Sequence, residues 1–209
     1  NHAYIDSLLE ARKVLVEQMG GTLLTIAKDV KIQVEFNPAM VKGYRLIGYV
    51  NRKLAARDFN DDKKDAGELG AGHSVTAFYE LVPSGSSEKI ANIDPLRYQK
   101  TDKTAASGDG ELMTVKLRYK KPTGAKSQLL TFAVANRQLE LAQTSDDFRF
   151  ASAVAELGML LRKSEHKGKA SYAAVRRRAQ GALGEDAGGH RKAFLGMIDQ
   201  VSRLDRGTP

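Results

Sequence analysis

Cysteine is absent from the 209 residues. No disulfide framework, thiolate nucleophile or cysteine-ligated zinc or iron–sulfur centre can therefore exist in the chain, and cysteine usage says nothing of its redox compartment. Long hydrophobic runs are lacking too. The longest mostly apolar stretch, residues 151–161, is interrupted by Ser152 and Glu156 and has about half the length a bilayer span needs. The familiar catalytic patterns are also missing. No G-x-x-x-x-G-K-[ST] or G-x-G-x-x-G loop occurs, no nucleophile elbow stands beside a histidine, and His2, His73, His166 and His190 make no H-x-x-x-H or H-E-x-x-H pair.

What is present reads as an ordinary folded chain, with 42% apolar and 28% charged residues, enough to bury a core in one large domain or two small ones. The net charge is +8, and residues 149–209 carry 12 basic against 6 acidic side chains. Most of the positive excess thus lies near the C-terminus, which raises an anionic partner as one possibility.

Local patterns divide the chain. Ser7-Leu8-Leu9-Glu10 has the capping-box form, Leu8, Ala11, Leu15 and Met19 recur at helical spacing, and Gly20-Gly21 supplies a stop, which predicts a helix. Alternation then predicts strands. Val30, Ile32, Val34 and Phe36 stand against Lys31, Gln33 and Glu35, and Val75, Ala77, Tyr79 and Leu81 share one face. Met113, Val115, Leu117 and Tyr119 stand against Thr114, Lys116, Arg118 and Lys120. In each, the apolar set is expected to be buried and the polar set wet. Shorter strand candidates cover residues 22–27, 44–49 and 129–134, and Lys121-Pro122-Thr123-Gly124 reads as a turn. Such strands with few helices between them argue antiparallel sheets, most simply a β-sandwich. After residue 144 the period changes. Ser145-Asp146-Asp147 offers a cap and two carboxylates to a helix dipole, with Arg162-Lys163 at the far end. Apolar residues between them cover most of the circumference, which predicts a buried helix. Helices over residues 172–183 and through Phe194, Met197, Ile198, Val201 and Leu204 complete a three-helix tail.

Residues 51–72 and 84–110 read as loops long enough to carry function. The first contains Asp58-Phe59-Asn60-Asp61-Asp62-Lys63-Lys64-Asp65-Ala66-Gly67-Glu68, whose carboxylates invite a hard cation. It lacks the sixth-position glycine and twelfth-position glutamate of an EF-hand, and Lys63 and Lys64 offset its charge, so a hydrogen-bonded surface loop is the favoured reading. His73 follows Gly70-Ala71-Gly72, where a general base could sit; a hydrolase centred on His73 and the Asp58–Asp65 stretch would require the two to converge. In Arg176-Arg177-Arg178, Arg177 points opposite the Val175/Ala179/Leu183 stripe and its neighbours flank it, so the three form no single contact ridge. Aromatic residues that could stack on bases are sparse there.

Long runs then carry a resemblance. Tyr4-Ile5-Asp6-Ser7, the stretch from Gly21 through Pro38, Tyr44-Arg45-Leu46-Ile47-Gly48-Tyr49, Gly70-Ala71-Gly72-His73, Asp94-Pro95-Leu96-Arg97-Tyr98-Gln99 and Phe148-Arg149-Phe150-Ala151 closely resemble bacterial von Willebrand factor type A domain proteins, in the uncharacterised region that follows the A-domain. Asp58 to Asp62 and Asp65 to Glu68 extend the match, which spans most of the chain. The resemblance implies that residues 1–20 are the terminal helix of the preceding A-domain and that the protein belongs to the cell envelope, outside the cytoplasm, often as a lipoprotein. The Asp-x-Ser-x-Ser of the A-domain metal site does not occur here, so that site carries over to no position.

The expectation is an α+β chain in three parts: residues 1–20 as that helix, 21–144 as an antiparallel β-sandwich, and 145–209 as a helical tail packed on it. No catalytic, cofactor-binding or metal-ligating residue is assigned, and no cofactor. The expected function is a non-catalytic protein-interaction or scaffold module, not an enzyme. Its partners would be another protein and its own A-domain. A membrane would be reached only through an anchor ahead of Asn1, and no small-molecule substrate is inferred. Binding of nucleic acid or another anionic polymer by the basic tail is the disfavoured alternative.

Overall fold

In the computed structural model, which describes residues 4–19, 21, 24–48, 54, 56–87 and 110–206, the alternating sequence after Leu24 forms one long strand where two were expected. The described strands are β1 (Thr25–Phe36), β2 (Val41–Leu46), β3 (Gly67–Gly70), β4 (Tyr79–Pro83), β5 (Glu111–Lys120) and β6 (Ser127–Ala135). The join within β1 is a bulge at Asp29, whose φ of 50° is left-handed. Register slips there against both neighbouring strands, as an extra residue in one strand requires. A four-stranded antiparallel sheet runs in the order β3-β1-β5-β6, and β2 lies beside β4 in a second, two-stranded sheet.

Short polar turns set these pairings. Asn37 closes the exit of β1 by donating from Nδ2 to the Glu111 carbonyl at 2.7 Å while its Oδ1 accepts the Ala39 amide at 2.9 Å. The β5–β6 hairpin turns where the Gly124 amide reaches the Lys121 carbonyl at 2.9 Å. The chain divides into two units, the first of residues 1–45, 51–75 and 80–137, the second of residues 46–50, 76–79 and 138–209.

Three expectations for the strands and the loops between them need correction. Residues 75–78 are not in a strand and Val75 is 84% exposed; the Phe78 carbonyl accepts the Ile47 amide at 2.8 Å, and β4 begins only at Tyr79. The long loop expected over residues 51–72 contains a 3-10 turn, Ala56–Asn60, and the edge strand β3, whose Gly-Glu-Leu-Gly sequence has too little alternation to reveal it. Burial at the centre of β1 is also the reverse of the expected pattern, although Glu35 is exposed as read. Lys31 is the most buried side chain of the strand, at 4%, and Ile32 is 62% exposed. The reason lies in what each face meets, described below. The N-terminal helix begins as read, with Ser7 Oγ accepting the Glu10 amide at 3.2 Å. The Glu10 carboxylate takes the Lys13 ammonium, and after α1 (Leu8–Arg12) the chain widens into a π-type turn over Lys13–Glu17. Most of the second expected loop, residues 88–109, lies outside the described residues.

The second unit holds α2 (Asp146–Leu161), α3 (Tyr172–Gln180) and α4 (His190–Arg206). Ser145 and Ser171 cap α2 and α3 through their hydroxyls, and Asp186 accepts the Arg191 and Lys192 amides that open α4. Ala153, Leu157, Val175, Ala179, Leu195 and Ile198 form the core, with Phe150 and Phe194 edge to face at its margin. α2 is buried along one stripe only. Ala153 and Leu157 join the core whereas Val154 and Leu161 are exposed, so the expected burial all round does not hold.

Candidate functional site

Across the main sheet, directly opposed residues share a face. Lys31 faces Arg118, Gln33 faces Lys116, and Lys120 lies two residues from Arg118 on β5; these make a basic, polar face. Its neighbour Asp58 to Ala66 is the acidic loop singled out from the sequence. The Lys31 ammonium donates to the Asp58 carbonyl at 3.3 Å and to the Asp61 carbonyl. Lys120 donates to the Asp62 carbonyl at 2.7 Å and pairs with Asp29 Oδ2 at 2.7 Å. Arg118 bonds Asn60 Oδ1 at 2.9 Å and Ser127 Oγ at 2.8 Å, and its guanidinium lies over the ring of buried Phe59. The bulge at Asp29 now has a purpose. It turns the Asp29 carboxylate toward Lys120 and toward the Ala66 amide at 3.3 Å.

The loop is therefore closed by the protein's own cations. An ammonium occupies the place where the Asp58 and Asp61 carbonyls converge. Asp61 Oδ1 caps the Lys63 amide and Asp62 Oδ2 accepts from the Ser127 amide, so these carboxylates do turn-forming work. Among the described residues, no three His, Cys, Asp or Glu side chains come together as a metal set. Asp62 Oδ1 and Arg118 Nε are buried without a hydrogen-bond partner.

The Lys120 ammonium on Asp29 holds that carboxyl below its ordinary range, against partial burial and with help from the Ala66 amide. Ser127, through its hydroxyl and amide, lowers Asp62. A carboxyl lowered in the native state stabilises the fold fully above its ordinary pKa of about 4, and that stabilisation is lost as pH falls through the lowered native value. Asp29→Asn, which tolerates the left-handed backbone and keeps an acceptor for Ala66, is expected to flatten the acid limb of the stability profile. Urea midpoints measured from neutral pH downward check this; a profile parallel to that of the parent protein would rule out Asp29 as a source of the acid sensitivity.

His73 stands apart from this cluster. It is exposed, its amide bonds the Gly70 carbonyl at 3.1 Å, and its ring lies beside Gly21. Among the described residues the imidazole pairs with no carboxylate, so the convergence a hydrolase would need is not formed by them. His166 pairs with the adjacent Glu165 at 3.4 Å, His190 opens α4, and His2 lies outside the described residues. In the second unit Arg176 bonds Asp199 at 2.7 Å and Arg178 pairs with Glu156 at 2.5 Å, leaving Arg177 facing solvent. Two of the three arginines are thus held by carboxylates of their own unit. A cleft beside the start of α2 is acidic, lined by Asp146, Asp147, Glu185 and Asp186. Its charge is largely committed, Asp147 to Arg191, Asp146 to Arg149, and Asp186 to the α4 amides.

The other face of the main sheet differs in kind. Ile32, Val34 and Phe36 of β1 oppose Leu117, Val115 and Met113 of β5, which in turn oppose Leu130, Phe132 and Val134 of β6. This is a three-strand apolar surface, and Ile32 and Phe132 are more than half exposed. Phe36 is flanked by the Tyr44 ring at 4.5 Å. Alternation marks the apolar sets of β1 and β5, and residues 129–134 read only as a short strand candidate; what the sequence could not say is that the loop of residues 56–66 would be laid on the polar face. The signal for that was the excess of Lys and Arg on the polar rungs of β5 opposite an acidic loop.

Comparison with known proteins adds a family. The family described as "Uncharacterized protein YfbK, C-terminal" matches residues 21–204. A curated relative, "Uncharacterized protein YfbK" of Escherichia coli (strain K12), is 44% identical over 200 residues, 95% of this chain and 34% of the relative. The chain thus spans about a third of that relative's length. No solved structure matches it.

Proposed function

Because the chain belongs to the family described as "Uncharacterized protein YfbK, C-terminal", we propose that it is a non-catalytic interaction or scaffold module of a larger von Willebrand factor type A domain protein of the bacterial cell envelope. One observation carries this reading. The sheet turns its basic face to a loop that its own lysines hold, and on its other face, among the described residues, Ile32, Leu130 and Phe132 are left exposed beside Leu117. A contiguous exposed apolar surface on a folded chain marks a place where another protein sits. In this reading the apolar face is the inner layer of a sandwich-like arrangement whose other layer comes from a partner. With about two thirds of the curated relative lying outside the matched region, the first occupant we assign to it is the A-domain of the same protein.

The test is a calorimetric titration of that A-domain into this chain. Binding is expected, and Ile32→Asp, at an exposed position where a charge does not disturb the core, should weaken it by tenfold or more, about 1.4 kcal/mol. Arg177→Ala should leave it unchanged. Absence of heat, or equal affinity for the Ile32 variant, would overturn the assignment; tight salt-dependent retention on heparin lost in the Arg177 variant would favour the anionic-polymer alternative.

A further inference from the structure

The free edge of the main sheet offers a use separate from its face. β6 ends the strand order, and its nine residues contain no charge, glycine or proline. Residues 128–133 and Ala135 are exposed. Edges are ordinarily blunted by charge, proline, a bulge or a covering segment, because their unpaired N–H and C=O groups template pairing with another strand. None of these devices is present on β6 among the described residues.

The direction of those groups follows from the ladder. The Asn37 amide donates to the Leu112 carbonyl at 2.9 Å, which assigns the even-numbered residues of β5 to β1 and the odd-numbered ones to β6. Leu117 and Val115 therefore bond Leu130 and Phe132. Antiparallel geometry then turns the N–H and C=O groups of Leu129, Thr131 and Ala133 outward. Ser127, of the same parity, gives its amide to the Asp62 side chain at 3.3 Å.

We propose that this edge pairs with the same edge of a second copy of the chain, antiparallel about a two-fold axis at Thr131. The sequence of β6 is matched to itself in that register. Leu129 meets Ala133 of the second copy, large against small, and Leu130 meets Phe132 of the second copy on the apolar face, an aliphatic–aromatic cross-strand pair. Charge agrees as well. No residue of β6 is charged, so the paired strands oppose no like charges in a chain of net charge +8. Three outward-facing pairs supply about six backbone hydrogen bonds, and the two apolar faces join into one surface. The pairing uses the edge, so it stands whether or not the A-domain occupies the face.

Sedimentation velocity at micromolar concentration tests it. The parent chain is expected to sediment as a dimer, and Thr131→Lys as a monomer with an unchanged circular dichroism spectrum, its thermal midpoint lowered only slightly by the Lys116 that opposes it on β5, since Thr131 is exposed and the change leaves the backbone ladder to β5 intact. Placement of the axis is read from single cysteines in this cysteine-free chain. Opposed residues of a hydrogen-bonded antiparallel pair have Cα atoms about 5.5 Å apart, within the span a disulfide bridges, so Thr131→Cys should give an oxidised dimer and Ala135→Cys should not. A monomeric parent chain, a Thr131→Lys variant that stays dimeric, or equal cross-linking at both positions would each overturn the proposal.

Discussion

Lys31→Met is expected to lower the unfolding free energy of the strand-rich unit by about 2–4 kcal/mol, the cost of leaving two carbonyls that had a charged donor without one. Methionine keeps the length and apolar stem of the lysine. What is removed is the ammonium that holds the Asp58 and Asp61 carbonyls at a position only 4% exposed. Urea unfolding gives the magnitude, and faster amide exchange across residues 56–66 locates it. Asp61→Asn should cost far less, because it spares both carbonyls and keeps an acceptor for the Lys63 amide. If the loop owed its shape to a bound cation, the order of the two variants would be reversed and added calcium would restore the lost stability.

Ile198→Ala is expected to cost about 2–5 kcal/mol in the helical unit, as large-to-small changes in closed cores do. Ile198 is 1% exposed, within a cluster that Ala153 and Leu157 of α2 and Val175 and Ala179 of α3 complete. Three of these neighbours are alanine or valine, so little side-chain length is available to fill the vacated space. Arg177→Ala, on the solvent side of α3, should stay within about 0.5 kcal/mol of the parent. Thermal unfolding of both variants followed by circular dichroism at a helix wavelength decides the comparison; equal destabilisation would mean that the three helices are not organised around Ile198.

The helices were the most legible part of the chain. Ser7 and Ser145 cap the helices that the serine and carboxylate signals suggested, because capping is a local exchange between one side chain and the next turn; the Ser171 cap of α3 appears only in the structure. Strand identity was also local: alternation placed β5 and the second half of β1, and the shorter candidates at residues 22–27 and 129–134 fall within or beside the first half of β1 and β6. Which face becomes buried was not local. It depended on a loop that returns 27 to 30 residues after Lys31 and offers carbonyls to it, and no period within β1 encodes that arrival. Asp29 illustrates the same limit. In sequence it only interrupts an alternating run, whereas in the fold it is a bulge whose carboxylate is aimed at Lys120 from the neighbouring strand. The acidic loop is hydrogen-bonded, as its departures from EF-hand spacing implied, but its partners were invisible until β5 was placed beside β1.

The claim that matters most is that the apolar face of the β1–β5–β6 sheet is a binding surface in the larger protein. Hydroxyl-radical footprinting of this chain and of the full-length protein, read at Ile32, Leu130 and Phe132, tests it directly. In the isolated chain all three should be modified readily, in keeping with their exposure. In the full-length protein labelling at these three positions is expected to fall together, several-fold, while exposed Val75 continues to react. Equal labelling of the three side chains in both proteins would contradict it.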